Sequence, residues 1–313
     1  MYWSDHKSLD FLAGIALVAF PLAGVAWGLW GWIWEILILL AVFWLGSRRG
    51  WGITALFLAV GYGSVALAFR WSGLEQMGYI PFAGLLTVVG WKRHWPQSVN
   101  TFWSLTVTGF LAALPLIGFV RQGLDPAMLK EIVSGSLASY KSSGMLAAAQ
   151  QLGVTESQLK AGLEKMLPVY FSLIPSFAAL SGLVKFGLAS YIAARFVPES
   201  GRTKVPFSRW RLPWYAVWGA ILGIASYLLG DQFGWFPWKT VGMNLMVVYA
   251  VVALVLGVAV YGYVLKSAKV PRFVKWLLLM VNLFFFFFSL VALMMFGLFD
   301  VVFNFRKLPE TES

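Results

Sequence analysis

Long apolar runs alternate with short breaks of charged residues, Gly and Pro along most of the chain, and this pattern predicts helices that cross a lipid bilayer. The runs fall at about 11–27, 31–46, 51–69, 77–90, 99–120, 168–194, 213–229, 241–265 and 274–298. A helix rising 1.5 Å per residue needs roughly 20 apolar residues to cross the hydrocarbon core, and most of the runs approach that length. The expected fold is all-α: a polytopic transmembrane bundle of about nine spans, forming one membrane domain over residues 1–313. Only Gly28, Leu29, Trp30 and Gly31 separate the first two runs, so they read either as two spans on a tight turn or as one long or broken helix. The fourth run is short and contains Pro81, which marks it as the half-inserted or irregular one.

Residues 121–167 interrupt the apolar pattern with a hydrophilic stretch that carries helix signals. Asp125 followed by Pro126 reads as an N-cap and first helical position, and Leu129, Ile132, Val133, Leu137 and Tyr140 then recur on one face. Gly153 suits a helix stop, and Thr155 with Gln158 forms a capping box ahead of Leu159, Leu163, Met166 and Leu167. Two amphipathic helices are expected, the second running into the sixth span. They read as a lid or docking surface over the mouth of the bundle, or as interfacial helices that stabilise the loop.

Charge orients this bundle. The chain is 60% hydrophobic and 12% charged, with 24 Lys and Arg against 13 Asp and Glu. The cations cluster in short loops, at Arg48 and Arg49, at Lys92 and Arg93, from Arg195 to Arg211, and from Lys266 to Lys275. With a cytoplasmic N-terminus all of these fall on one face, as the positive-inside bias requires, and the 121–167 loop becomes extracytoplasmic. Nine crossings then put the C-terminus outside. Scattered short basic loops, with no basic arm and no Cys/His finger, exclude nucleic acid as a partner and leave the lipid bilayer, other membrane subunits and a small-molecule ligand of unread identity.

Chemistry is sparse. Cysteine is absent, which removes disulfides and thiolate chemistry, and His6 and His94 have too few nearby carboxylates for a zinc site. There is no Walker loop, no nucleophile elbow and no pair of carboxylates within one span, so a non-enzymatic protein without cofactor or metal is expected. The opening MYWSDHKSLD lacks a basic n-region and reads as retained.

The candidates for function are polar groups where they are expensive. Lys185 lies ten residues before Arg195, roughly 15 Å along a helix, near midplane depth. It reads as a substrate anchor or ion-pair partner in a polar cavity, or as a side chain that snorkels to the cytoplasmic surface. Glu35 follows Gly31 closely among Trp30, Trp32 and Trp34, which suits an interfacial carboxylate. Asn244 and Asn282 read as interhelical glue, and Asp300 with Arg306 as an outer ion pair of little weight. Trp27, Trp30, Trp34, Phe233, Trp235, Phe236 and Trp238 fit an aromatic belt or the lining of a cavity. Lys185, Glu35, Trp30, Trp34, Trp235 and Trp238 are therefore the substrate-binding candidates.

Pro168, the RWRLPW segment from Arg209 to Trp214, NLMVVYA from Asn244 to Ala250 and GLFDVVFNFRK from Gly297 to Lys307 together resemble the YybS-like family of uncharacterised bacterial membrane proteins. The resemblance covers about residues 160–313. That family is distantly similar to the substrate-binding subunits of energy-coupling-factor vitamin transporters, which implies a small-molecule-binding bundle in the bacterial cytoplasmic (inner) membrane. The ligand residues of that group have no assignable counterparts here, and the 121–167 loop departs from its compact pattern. Two functions are expected from all of this: a small-molecule binding or transport component, or a structural or assembly subunit of a larger membrane complex.

Overall fold

The computed structural model describes residues 4–28, 31–197 and 205–308, and among these it contains thirteen α-helices and no strand. The first five are α1 (Ser4–Trp27), α2 (Gly31–Arg49), α3 (Trp51–Met77), α4 (Ile80–Lys92) and α5 (Gln97–Gln122). The long loop folds as α6 (Pro126–Ser142), α7 (Met145–Gln151) and α8 (Glu156–Ser172), followed by α9 (Ile174–Phe196). After two 3-10 turns at 207–209 and 214–216 come α10 (Val217–Gln232), α11 (Phe236–Lys266), α12 (Arg272–Phe284) and α13 (Phe286–Phe303). Seven of them, α1, α2, α3, α5, α9, α11 and α13, are long and apolar enough to cross a membrane. The polytopic helical bundle expected from the sequence is the fold observed.

Side-chain contacts fix the helix directions. Arg49 meets Asp10 at one end of the α1–α2 hairpin while Trp34 meets Trp27 at the other, so the first two runs are separate antiparallel helices. Phe43 packs on Trp91 and Gly84 on Leu39 and Val42, which makes α4 parallel to α2. The same pairing of neighbours runs through α5 and α9, and Gly242 against Tyr227 with Gly219 against Tyr249 sets α11 antiparallel to α10. One end of the bundle thereby collects the C-termini of α2, α4, α9 and α11 with Arg48, Arg49, Lys92, Arg93, Arg195 and Lys266, in agreement with the charge pattern. This is the basic end.

The main core forms where α1 to α5 and α9 meet, around Leu17, Ile38, Leu39, Val42, Phe43 and Leu58, all shielded from solvent. Helix α4, with 13 residues and a length of about 20 Å, begins inside this core: Ile80 is 1% exposed. It is short, as its run predicts, but regular throughout, with Pro81 in the first turn where a helix accommodates it. Helix α3 ends its regular stretch at Arg70 (φ 58°), where the apolar run stops, before about two further turns lead to Met77. In the loop, Asp125 accepts from the Ala127 amide at 3.1 Å and the Thr155–Gln158 capping box is formed, as the sequence requires. Helix α7 carries no cap or periodicity that would have announced it.

The ninth run departs from expectation. It is broken at Phe285 (φ −109°, ψ 44°) into α12, which has no buried residue, and α13, which crosses α11 where Gly257 and Gly297 bring the two backbones together. Residues beyond α13 return to the basic end: Arg211 donates to the Leu308 carbonyl, and the Tyr263 hydroxyl to that of Arg306. The C-terminal end and the α9–α10 segment thus share one end of the bundle, instead of lying on opposite faces as nine simple crossings imply. An unbroken run of Phe has no Gly, Pro or charge to betray the break, which reverses the direction of everything after it.

At the α11–α13 crossing, a methyl group on Gly257 would strike the Leu293 carbonyl, and the backbone has no room to yield. Gly257→Ala is expected to lower stability by about 1–3 kcal/mol, read as a fall in the thermal unfolding midpoint in detergent.

Candidate functional site

Two charges meet across the main core. Glu35 on the second turn of α2 and Lys185 in the middle of α9 form an ion pair. Glu35 is 6% exposed, and the Lys185 side chain keeps about one fifth of its surface, 19%, open. Beneath the carboxylate the chain passes from α3 to α4 through Gly78 (φ 66°, ψ 175°), a conformation that only glycine adopts without strain. A side chain at Gly78 would collide with Glu35 Oε1. The Tyr62 hydroxyl, itself buried, donates to the Gly78 carbonyl at 3.0 Å and holds the joint in place. Charged groups at such depth persist when paired, and here pairing joins two helices to the break between two others.

Glu35, read from the sequence as an interfacial carboxylate, is buried within the bundle and paired with Lys185. The α3–α4 joint at 78–80 folds over it, and α9 extends past it so that Lys185 can reach it. Of the two readings of Lys185, the structure gives the ion-pair partner, not the side chain directed to a headgroup. The tryptophans are not gathered around this pair. Trp34 turns to α1, with ring centroids 5.3 Å from Phe20 and 5.7 Å from Trp27. Trp235 stacks on Phe233 at 5.1 Å and Trp238 is exposed, both at the α10–α11 turn. Trp30 lies outside the described residues.

Sequence reasoning passed over Tyr62 and Gly78, and also a polar seam between α4 and α5. There the Thr87 and Ser104 hydroxyls lie 2.8 Å apart, and Asn100 donates to the Thr87 carbonyl at 3.2 Å. Asn100, Ser104 and Thr108, spaced four apart on one helix face, are the signal that could have revealed it. Asn244 does act as interhelical glue. Its amide accepts from the Ser176 amide and donates to the Ser172 carbonyl, both at 2.7 Å, and so satisfies the backbone on either side of the α8–α9 break. Asn282 donates within its own helix, to the Leu278 carbonyl, and its side chain also meets the Tyr261 hydroxyl on α11.

Asp300 and Arg306 overturn the light outer ion pair expected of them. Their side chains are 1% and 2% exposed, and Arg306 gives Nε and Nη2 to Asp300 Oδ2 at 2.9 and 2.6 Å. Its remaining donors reach the Ser208 and Trp210 carbonyls at 2.6 and 2.8 Å. The arginine fastens the end of α13 to the α9–α10 segment at the basic end. Nothing in the spacing of Asp300 and Arg306 foretells the Ser208 segment that covers them.

Among the described residues no group of three His, Asp or Glu side chains lies close enough to hold a metal ion. The arrangement of Glu35, Lys185 and the Gly78 joint can present one negative and one positive group inside the main core. Gly78→Ala is expected to cost about 1–3 kcal/mol through backbone strain and to push Glu35 away from its position. A lowered unfolding midpoint, partly restored by Glu35→Ala in the same chain, checks this.

Comparisons with known proteins agree with the fold at a coarse level. No curated protein and no solved structure matches the chain. The family described as Predicted membrane protein (DUF2232) matches residues 97–301, from the start of α5 to the last turn of α13. That match takes in Lys185 and leaves Glu35 outside. Covering most of the chain, it shows that this protein belongs to the DUF2232 family of predicted membrane proteins.

Proposed function

We propose that the protein is a non-enzymatic small-molecule binding or transport component of a bacterial cytoplasmic membrane, with its basic end toward the cytosol. The observation that carries this reading is the Glu35–Lys185 pair held at the α3–α4 break. An intramembrane carboxylate and ammonium are costly, and membrane proteins keep such groups chiefly along substrate and ion pathways. The irregular backbone at Gly78 beside the pair adds to it, because non-helical backbone in membrane proteins is tolerated where it is buried in protein or lines a cavity. The resemblance of the C-terminal half to YybS-like proteins, and through them distantly to vitamin-binding subunits, is in keeping with the same reading. Lys185 and Glu35 are the ligand-binding residues in this account, and the α6–α8 loop a partial cover.

A second reading, a structural or assembly subunit, is favoured by α12, which buries no residue and leaves Trp276, Leu283 and Phe284 largely exposed. A panel of small metabolites screened by thermal shift distinguishes the two. A ligand at 100 times its Kd stabilises the folded state by about 2.7 kcal/mol. The transport reading expects at least one compound to raise the midpoint of the wild type and not that of a Glu35→Gln/Lys185→Met variant. If no compound does so, or if the variant responds equally, the reading falls and α12 becomes the feature to pursue.

A further inference from the structure

At the basic end, away from Glu35 and Lys185, a cavity of about 300 Å³ opens sideways between α1 and α3. Its walls are Phe11, Gly14, Ile15, Val18, Ala19 and Phe57, and Asp10 closes one end. Asp10 is 9% exposed and its Oδ2 accepts from Arg49 Nε at 2.7 Å, but its Oδ1 is buried and accepts no hydrogen bond. An unsatisfied buried acceptor is costly, and one set at the end of an apolar groove has the form of a site for a donor carried on an apolar body. Three features fix the occupant. Asp10 lies three residues past Lys7, at the start of the apolar span of α1. The groove leads from it along α1 toward the hydrocarbon. The Arg49 side chain beside it is 49% exposed, free to meet an anion.

We propose that this groove binds a phospholipid with a primary ammonium headgroup, of the phosphatidylethanolamine type. The Asp10 carboxylate turns Oδ1 into the groove to accept from the ammonium, the phosphate meets the Arg49 guanidinium, and one acyl chain lies along Ile15, Val18 and Phe57. A choline headgroup has no N–H to donate and leaves Oδ1 unsatisfied. The site is independent of the function proposed above.

The purified full chain in detergent is titrated with phosphatidylethanolamine and with phosphatidylcholine of identical acyl chains, and the unfolding midpoint is followed. The wild type is expected to be stabilised more by phosphatidylethanolamine. That difference is expected to vanish in Asp10→Leu, and also in Ala19→Phe, which fills the groove from its exposed side and leaves Asp10 and Arg49 in place. Should Asp10→Leu fail to fold, Ala19→Phe decides alone. Equal stabilisation of the wild type by both lipids, or a preference that survives in either folded variant, overturns the proposal.

Discussion

Arg306→Ala is expected to destabilise the protein by about 3–5 kcal/mol, the cost of leaving a buried charge without its partner. Asp300, 1% exposed, would keep only the backbone amide of residue 306 on Oδ1 once the guanidinium is gone, and the carbonyls of Ser208 and Trp210 would lose their donors as well. The damage is expected at one place: the α9–α10 segment and the end of α13 come apart at the basic end, and protease reaches Arg209 or Lys307 sooner than in the wild type. Removing both charges as Asp300→Leu/Arg306→Met is expected to recover much of the loss, because desolvation offsets most of the Coulomb gain in such pairs. Chemical unfolding of the three proteins in one detergent gives the comparison. If Arg306→Ala costs no more than an exposed substitution, the pair is not the clasp described.

The second large effect belongs to Glu35 and Lys185. Lys185→Met leaves a carboxylate against the Gly78 joint with no counter-charge, and a loss of about 3–5 kcal/mol is expected, as for other broken buried pairs. Glu35→Gln strands the ammonium, but the Lys185 side chain retains some exposure, so a smaller loss is expected. The double variant is expected to cost less than the sum of the two, with a coupling of about 0.5–3 kcal/mol. Strict additivity in this cycle would mean that the two side chains do not meet. A coupled pair could still be purely structural, which is why the ligand screen and not the cycle bears on function.

How much of this was open to sequence reasoning follows from which contacts are local. Apolar length, the caps at Asp125 and Thr155, and the clustering of Arg48, Arg49, Lys92 and Arg93 are properties of neighbouring residues, and the helices and their directions through α11 follow from them. Lys185 stood out because a cation in an apolar run is conspicuous whatever it touches. Its partner did not, because Glu35 and Lys185 are 150 positions apart and the chain between them gives no measure of depth. The position of Glu35 near its own helix end says nothing of its burial, which comes from the α3–α4 joint that covers it. The break at Phe285 and the burial of Arg306 were hidden for the same reason: both depend on α13 crossing α11 and ending against the Ser208 segment.

The most direct measurement uses the absence of cysteine from the sequence. In a Glu35→Gln/Lys185→Cys chain the new thiol is the only one, no carboxylate is left unpaired, and the protein can be labelled in intact membranes with a small, charged, membrane-impermeant thiol reagent. If the centre where α2, α9 and the α3–α4 joint meet receives a solute, the thiol reacts from one face of the membrane and stays inert from the other. A thiol that reacts from neither face, in a chain that folds and reacts fully once denatured, would contradict the account.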